Sequence, residues 1–205
     1  MRIESFEYFY PEKPRLTSIK SPMFEKLSKD PQWIAEKKFN GSRLQFNVVC
    51  ANNGDPQHFT FMNRHGLHLA YVPDDVMRKA LQKLPWPAGY CLLDGELRHN
   101  KVVGVRHKIV FYDVFVWDGE LLTDKDFLFR RNLLYKLLPY PNGPLSLPEW
   151  FNGDLYAAFK DVTKDPEIEG LVIKNINGKL NLGRNAGRDS AWMWKVRKES
   201  GRYRF

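Results

Sequence analysis

Residues 36–43 read EKKFNGSR, Glu36-Lys37-Lys38-Phe39-Asn40-Gly41-Ser42-Arg43, and what lies on either side of this stretch decides the fold. Upstream, Ile34-Ala35-Glu36-Lys37-Lys38 reads as a strand. Downstream, Leu44, Phe46, Val48 and Cys50 alternate with Gln45, Asn47 and Val49, the period of a half-buried strand. Asn40-Gly41 is a dipeptide that tolerates positive φ, so a tight hairpin turn is expected between the two. Successive side chains on a strand point to opposite faces, so Lys37 and Lys38 cannot share one. These residues alone suit either a basic turn or a strand that presents one lysine for chemistry.

Further along, ANNGDPQ (51–57) reads as a turn, HFTFMN (58–63) as a strand and Asn63-Arg64-His65-Gly66 as another tight connection. Val76, Met77, Ala80, Leu81 and Leu84 are spaced for one helical face, with Asp74 and Asp75 at the end where the helix dipole favours acids. YCLLDGEL (90–97), KIVFYDVFVWDG (108–119), EGLVIK (169–174) and AWMWKVR (191–197) have the length and apolar content of strands, and FLFRRNLLYKLL (127–138) reads as an amphipathic helix. Strands with interspersed helices indicate an α+β fold. PYPNGPLSLPEW (139–150) reads as a proline-rich surface loop, and one domain over 1–205 is expected.

The 205 residues carry 32 lysines and arginines against 24 acids, a net charge of +8, with 43% hydrophobic residues. The core is sizeable and the field is positive, which favours polyanions such as nucleic acid over a membrane surface. No apolar run approaches the roughly 20 residues needed to cross a bilayer, and MRIESFEYFYPEKPR lacks a signal-peptide core; a soluble intracellular protein is expected. Cys50 and Cys91 lie within strands and read as buried thiols with no disulfide, while the five histidines, His65 and His68 among them, have no cysteine partners at zinc spacing.

Charged residues recur at the strand ends: Lys38 and Arg43, Glu96, Tyr112 with Asp113, Glu169 with Lys174, and Lys195 with Arg197. In this order EKKFNGSR, NRHG, LLDGEL, FYDVFVWDG, the helix FLFRRNLL, EGLVIK and WKVRK resemble the motifs of the covalent nucleotidyltransferases, ATP-dependent DNA ligases above all, from about Trp33 to Lys198. The resemblance implies a nucleotidyltransferase domain of mainly antiparallel sheets flanked by helices (ATP-grasp-like). It also implies ATP and Mg²⁺ as cofactors, AMP as the covalent intermediate, and nicked DNA as the partner of a monomer acting in repair, replication or recombination. Localisation would be cytoplasmic or nucleoid-associated.

By the same resemblance Lys38 is the nucleophile, with Asn40-Gly41 aligned on the family's Asp-Gly. Glu36 reads the adenine edge, Arg43 and Glu96 engage the ribose and nearby groups, Tyr112 stacks on the base, and Glu169 lies near metal and phosphate. Lys174, Lys195 and Arg197 meet phosphates, and Arg64 meets the nucleic-acid backbone. A lysine with a pKa of about 10.4 must lose its proton before it attacks, and nearby cations favour the neutral amine. Three departures stand out. Asn40 replaces the usual Asp, Arg197 stands where a second lysine is common, and only ESGRYRF follows WKVRK, where an OB-fold domain is the family rule. Asn40 keeps an RNA ligase in contention; an mRNA-capping guanylyltransferase and a catalytically silent nucleic-acid-binding relative are the remaining alternatives.

Overall fold

The alternation at Leu44–Cys50 is the body of a nine-residue strand with Leu44, Phe46 and Val48 in an apolar cluster on one face, but the strand is not half-buried, because Gln45 and Asn47 on its other face are buried as well. The computed structural model describes residues 3, 8–141, 143–183 and 188–199. In chain order its elements are β1 (Tyr10–Pro11), β2 (Lys13–Leu16), α1 (Pro22–Lys29), β3 (Trp33–Phe39), β4 (Ser42–Cys50), β5 (Pro56–Asn63), α2 (Asp75–Gln82), β6 (Gly89–Arg98) and β7 (Lys108–Trp117). There follow β8 (Glu120–Leu121), α3 (Phe127–Leu137), β9 (Leu145–Ser146), β10 (Trp150–Phe151), α4 (Leu155–Val162), β11 (Ile168–Asn175), β12 (Leu182–Gly183) and β13 (Asp189–Arg197). The architecture is α+β, and most strand pairs are antiparallel.

Two compact units divide the chain: Met1–Pro11 with Gly41–Pro148 and Lys179–Ala186, and Glu12–Asn40 with Glu149–Gly178 and Gly187–Phe205. The larger holds a sheet in the order β5-β4-β6-β7-β8, with β9 parallel beside β7, and the small β1–β12 pair. One face of that sheet packs Phe46, Cys91, Leu93 and Phe111 against Met77, Ala80 and Leu81 of α2 and Leu133, Leu134 and Leu137 of α3. The smaller unit holds the order β10-β3-β11-β13-β2, with β13 and β2 parallel. Ala35, Leu171, Ile173 and Val196 cover one face of it by packing on Phe24 and Leu27 of α1 and Leu155, Phe159 and Val162 of α4.

Asn40-Gly41 is not a hairpin turn. β3 and β4 belong to different sheets, and among the described residues with positive φ neither Asn40 nor Gly41 is found. The glycine serves close approach instead, since a Cβ there would meet the Leu97 carbonyl oxygen at 2.6 Å and the Glu96 Cγ at 2.7 Å. Helix α2 keeps Met77, Ala80 and Leu81 inside, with Leu84 buried just past its end, but leaves Val76 65% exposed. One residue is 100° of helical rotation, enough to take Val76 off the buried stripe beside Met77. Asp74 caps this helix, its Oδ1 accepting from the Met77 N–H at 2.8 Å.

Helix α3 departs further from its amphipathic reading. Arg130 and Arg131 are fully buried, while Leu128, Phe129 and Tyr135 are exposed. Arg130 donates from Nε to Asp113 Oδ1 at 2.7 Å and from Nη2 to Oδ2 at 3.1 Å, and Arg131 donates from Nη2 to the Pro148 carbonyl at 2.5 Å. A guanidinium turned inward needs such partners, because an uncompensated buried charge is costly. Replacing Asp113 by Asn is therefore expected to lower unfolding stability by about 2 kcal/mol, measured by urea denaturation, since a charge-assisted bond to buried Arg130 is lost.

Cys50 and Cys91 are buried free thiols, as expected, and burial pushes them up to about 11 and about 12. Among the described residues no three His, Cys, Asp or Glu side chains are grouped to hold a metal, and no helix is long and apolar enough to cross a membrane.

Candidate active site

In the smaller unit the strand register places the reactive groups in rows. Gly170 of β11 stands between Lys38 of β3 and Arg197 of β13; two residues on, Val172 stands between Glu36 and Lys195; two further, Lys174 stands between Ile34 and Met193. Steps of two keep a side chain on one face, so Glu36, Lys38, Lys174, Lys195 and Arg197 share the face opposite the α1 and α4 core. Lys37 falls on the other side. Its Nζ pairs with Glu149 at 2.6 Å and lies 6.0 Å from the Phe151 ring centroid, which leaves Lys38 as the lysine on the polar face.

Glu169 reaches the same face through a β-bulge. Register passes from Ile168 opposite Phe39 to Gly170 opposite Lys38, leaving Glu169 as the extra residue on β11, and such a residue re-aims its side chain. Its Oε2 accepts from Lys38 Nζ at 2.5 Å and lies 3.6 Å from Arg197 Nε. The following Gly170 has φ +151°, and a Cβ on it would sit 2.0 Å from the Val196 carbonyl oxygen. Only glycine fits there.

A second ion pair joins Lys174 Nζ to Glu36 Oε2 at 2.6 Å, both side chains almost fully buried. Two residues expected to meet different parts of a nucleotide are thus held by each other in the structure. Lys195 has a lowered pKa, because burial and then the neighbouring cations Arg197 and Lys38 disfavour its charge. Between that lowered value and the usual 10.5 the unfolded chain binds the proton more readily than the folded one, so stability rises with pH across this window. Below the window the cost of the charge is present in full. Lys195→Met is therefore expected to melt higher than the parent at neutral pH, by about 1–2 °C, with the difference shrinking above about pH 10 as followed by thermal denaturation.

The larger unit carries its own polar cluster on the sheet face opposite its core. Arg43 lies opposite Glu96 in register, and donates from Nε to Asp94 Oδ1 at 2.9 Å and from Nη2 to Asp94 Oδ2. Burial opposes the charge on Arg43, but Asp94, with the phenols of Tyr112 and Tyr8, raises its pKa and holds it protonated. Tyr112 is the extra residue of another bulge, between Asp94 opposite Asp113 and Gly95 opposite Phe111. Burial, and then Asp94, raise its pKa well above the usual phenol value, so the ring stays neutral. Asp113, its neighbour, pairs with Arg130 and adds only a lesser rise to the Tyr112 pKa.

Asp94 and Tyr8 were not anticipated from the sequence. Asp94 could have been, because it stands two residues from Glu96 in DGE and therefore shares its face. Tyr8 is pushed up to about 12 by burial, against the lowering influence of Arg43. Its neighbour Phe9 is clipped to Gln45, which donates from Nε2 to the Phe9 carbonyl at 2.5 Å and accepts from its N–H at 3.4 Å. Arg64 directly follows Asn63, which stands opposite Leu44, and is exposed on the Asn63–Gly66 turn with its Nε 3.1 Å from His65 Nε2.

Residues 98–197, just under half of the chain, match a family model described as ATP dependent DNA ligase domain. Over that stretch the chain is similar to the ATP-dependent DNA ligases. It is 24% identical over 202 residues to DNA ligase 4 of Eremothecium gossypii, an alignment taking in 82% of this chain and 20% of that protein. Mycobacterial DNA ligase D complexed with ATP and MES superposes with a TM-score of 0.64 at 23% identity, over 94% of this chain and 62% of that one. The ATP-dependent DNA ligase of bacteriophage T7, in complex with ATP, superposes at 0.54 and 17% identity, over 91% of this chain and 68% of that one. The ligase fold expected from the motifs is thus found. The family match takes in Tyr112, Glu169, Lys174, Lys195 and Arg197 and begins after Glu36, Lys38, Arg43 and Glu96, so it does not bear on Lys38, whose reading rests on its place in the sheet.

The donor set suits Mg²⁺ only in a particular way. Glu169 is the carboxylate beside Lys38, while Glu36 is engaged with Lys174. One carboxylate together with substrate phosphates and water is a usual magnesium environment, so Glu169 would hold the ion jointly with a bound nucleotide. The ion would supply charge neutralisation at the phosphates.

Proposed function

We propose that this chain is the nucleotidyltransferase domain of an ATP-dependent DNA ligase, with Lys38 as its nucleophile. The observation that carries the reading is the polar sheet face on which Lys38 pairs with Glu169 at 2.5 Å while Arg197 and Lys195 flank it one strand away from Gly170 and Val172. Lys38 gives up a proton, its Nζ forms a bond to the α-phosphorus of ATP, and the bond from that phosphorus to the bridging oxygen breaks to release pyrophosphate. Lys195, Arg197 and Lys174 answer the charge that gathers on the phosphate oxygens, which favours the transition state as well as binding. The phosphoramidate then passes AMP to a 5′-phosphate at a nick, and the 3′-hydroxyl displaces AMP to join the strand. Glu36 reads the base edge, Tyr112 offers a neutral ring for stacking, and Arg43 and Glu96 meet the ribose.

The net charge of +8 supplies attraction to the DNA backbone, with Arg64 on an exposed turn as a contact, and that attraction falls as salt rises. Intact-mass measurement after incubation with ATP and Mg²⁺ tests the reading. The expected result is one added adenylyl group that pyrophosphate removes; its absence refutes adenylation. Asn40 in place of the usual acid supports one second reading, an RNA ligase. Nicked DNA and nicked RNA, compared at equal salt, separate the two.

A further inference from the structure

The edge strand β10 adds an aromatic side chain to the reactive face. Trp150 stands opposite Glu36 in the β10–β3 register. Its neighbours fix the direction of its ring. Glu149 pairs with Lys37, and Phe151 packs with the core on the far side of the sheet, so Trp150 between them projects with Glu36 and Lys38. It is 39% exposed, so its ring is open to contact on that face.

One row across four strands therefore reads Trp150, Glu36, Val172, Lys195, with Lys38 and Arg197 in the next row. Chemical character changes along it in order: aromatic ring, carboxylate acceptor, aliphatic floor, cation. Three strand spacings separate its ends by about 14 Å. A ligand with a flat heterocycle at one end and phosphates at the other matches this row with its base toward β10 and its phosphates toward β13.

We propose that Trp150 is a specificity-determining residue, which holds the nucleobase of the incoming nucleotide against the β10 edge so that the α-phosphate lies at Lys38. This rests on the adenylation reading above. The ring supplies contact area to the base, while the Glu36 carboxylate beside it favours an exocyclic amino group.

The test is the rate of lysine-adenylate formation against ATP concentration for the parent, Trp150→Ala and Trp150→Phe, with urea unfolding of each to establish that it is folded. Trp150→Ala is expected to raise the KM for ATP about tenfold with the saturating rate within about twofold of the parent, the range that stacking on an aromatic ring gives. Trp150→Phe should recover most of that affinity. A KM for Trp150→Ala within about twofold of the parent overturns the assignment, as does a loss confined to the saturating rate. Failure of the parent itself to form an adenylate refutes the adenylation reading and this inference with it, so the two failures are told apart.

Discussion

Lys38→Ala is expected to form no lysine adenylate, a fall of about 10⁴-fold or more in labelled protein when α-labelled ATP and Mg²⁺ are supplied. No neighbour can substitute. Lys37 lies on the opposite face in a pair with Glu149, Lys174 is bound to Glu36, and Lys195 stands two strands away beyond β11. The variant should remain folded, because Lys38 contributes to a partly exposed ion pair rather than to the apolar core. Binding of AMP, followed by calorimetry, should persist. A labelled band of parental intensity in Lys38→Ala would move the nucleophile elsewhere and end the assignment.

Gly170→Ala is expected to cost about 4 kcal/mol of unfolding stability, combining strain at a positive φ with overpacking against backbone. The added Cβ would lie 2.0 Å from the Val196 carbonyl oxygen and 2.9 Å from the Arg197 Cα, and neither is the movable end of a side chain. Relief requires β11 and β13 to part where Arg197 is held and where the Glu169 bulge begins. Adenylation should therefore fall along with the urea midpoint. An alanine variant with parental stability would show that the bulge does not need glycine.

The separation of Lys37 from Lys38 was legible because strand alternation is a local rule. Glu36, Lys195 and Arg197 were named by motif resemblance, and the strand register places them on the same face as Lys38. What local rules do not contain is partnership. Asn40-Gly41 has the composition of a hairpin turn, but the strands it joins pair elsewhere, a matter of long-range topology. The bulges that carry Glu169 and Tyr112 arise from the match between two strands and have no signature within either one. Arg130 looks solvent-facing until Asp113, 17 residues away, is found beneath it. The Glu36–Lys174 pair was hidden for the same reason: each residue was legible as a ligand contact, and neither as the other's partner.

Two cations of the reactive face, Lys38 and Lys174, already carry resident counter-ions in Glu169 and Glu36. An arriving anion enters that face as a competitor rather than as a guest in a vacant seat. A lone monovalent ion gains little by ousting a tethered carboxylate, whereas a chain of phosphates presents several charges together and can displace it. Polyphosphates are accordingly expected to bind this face more tightly than small monovalent anions do.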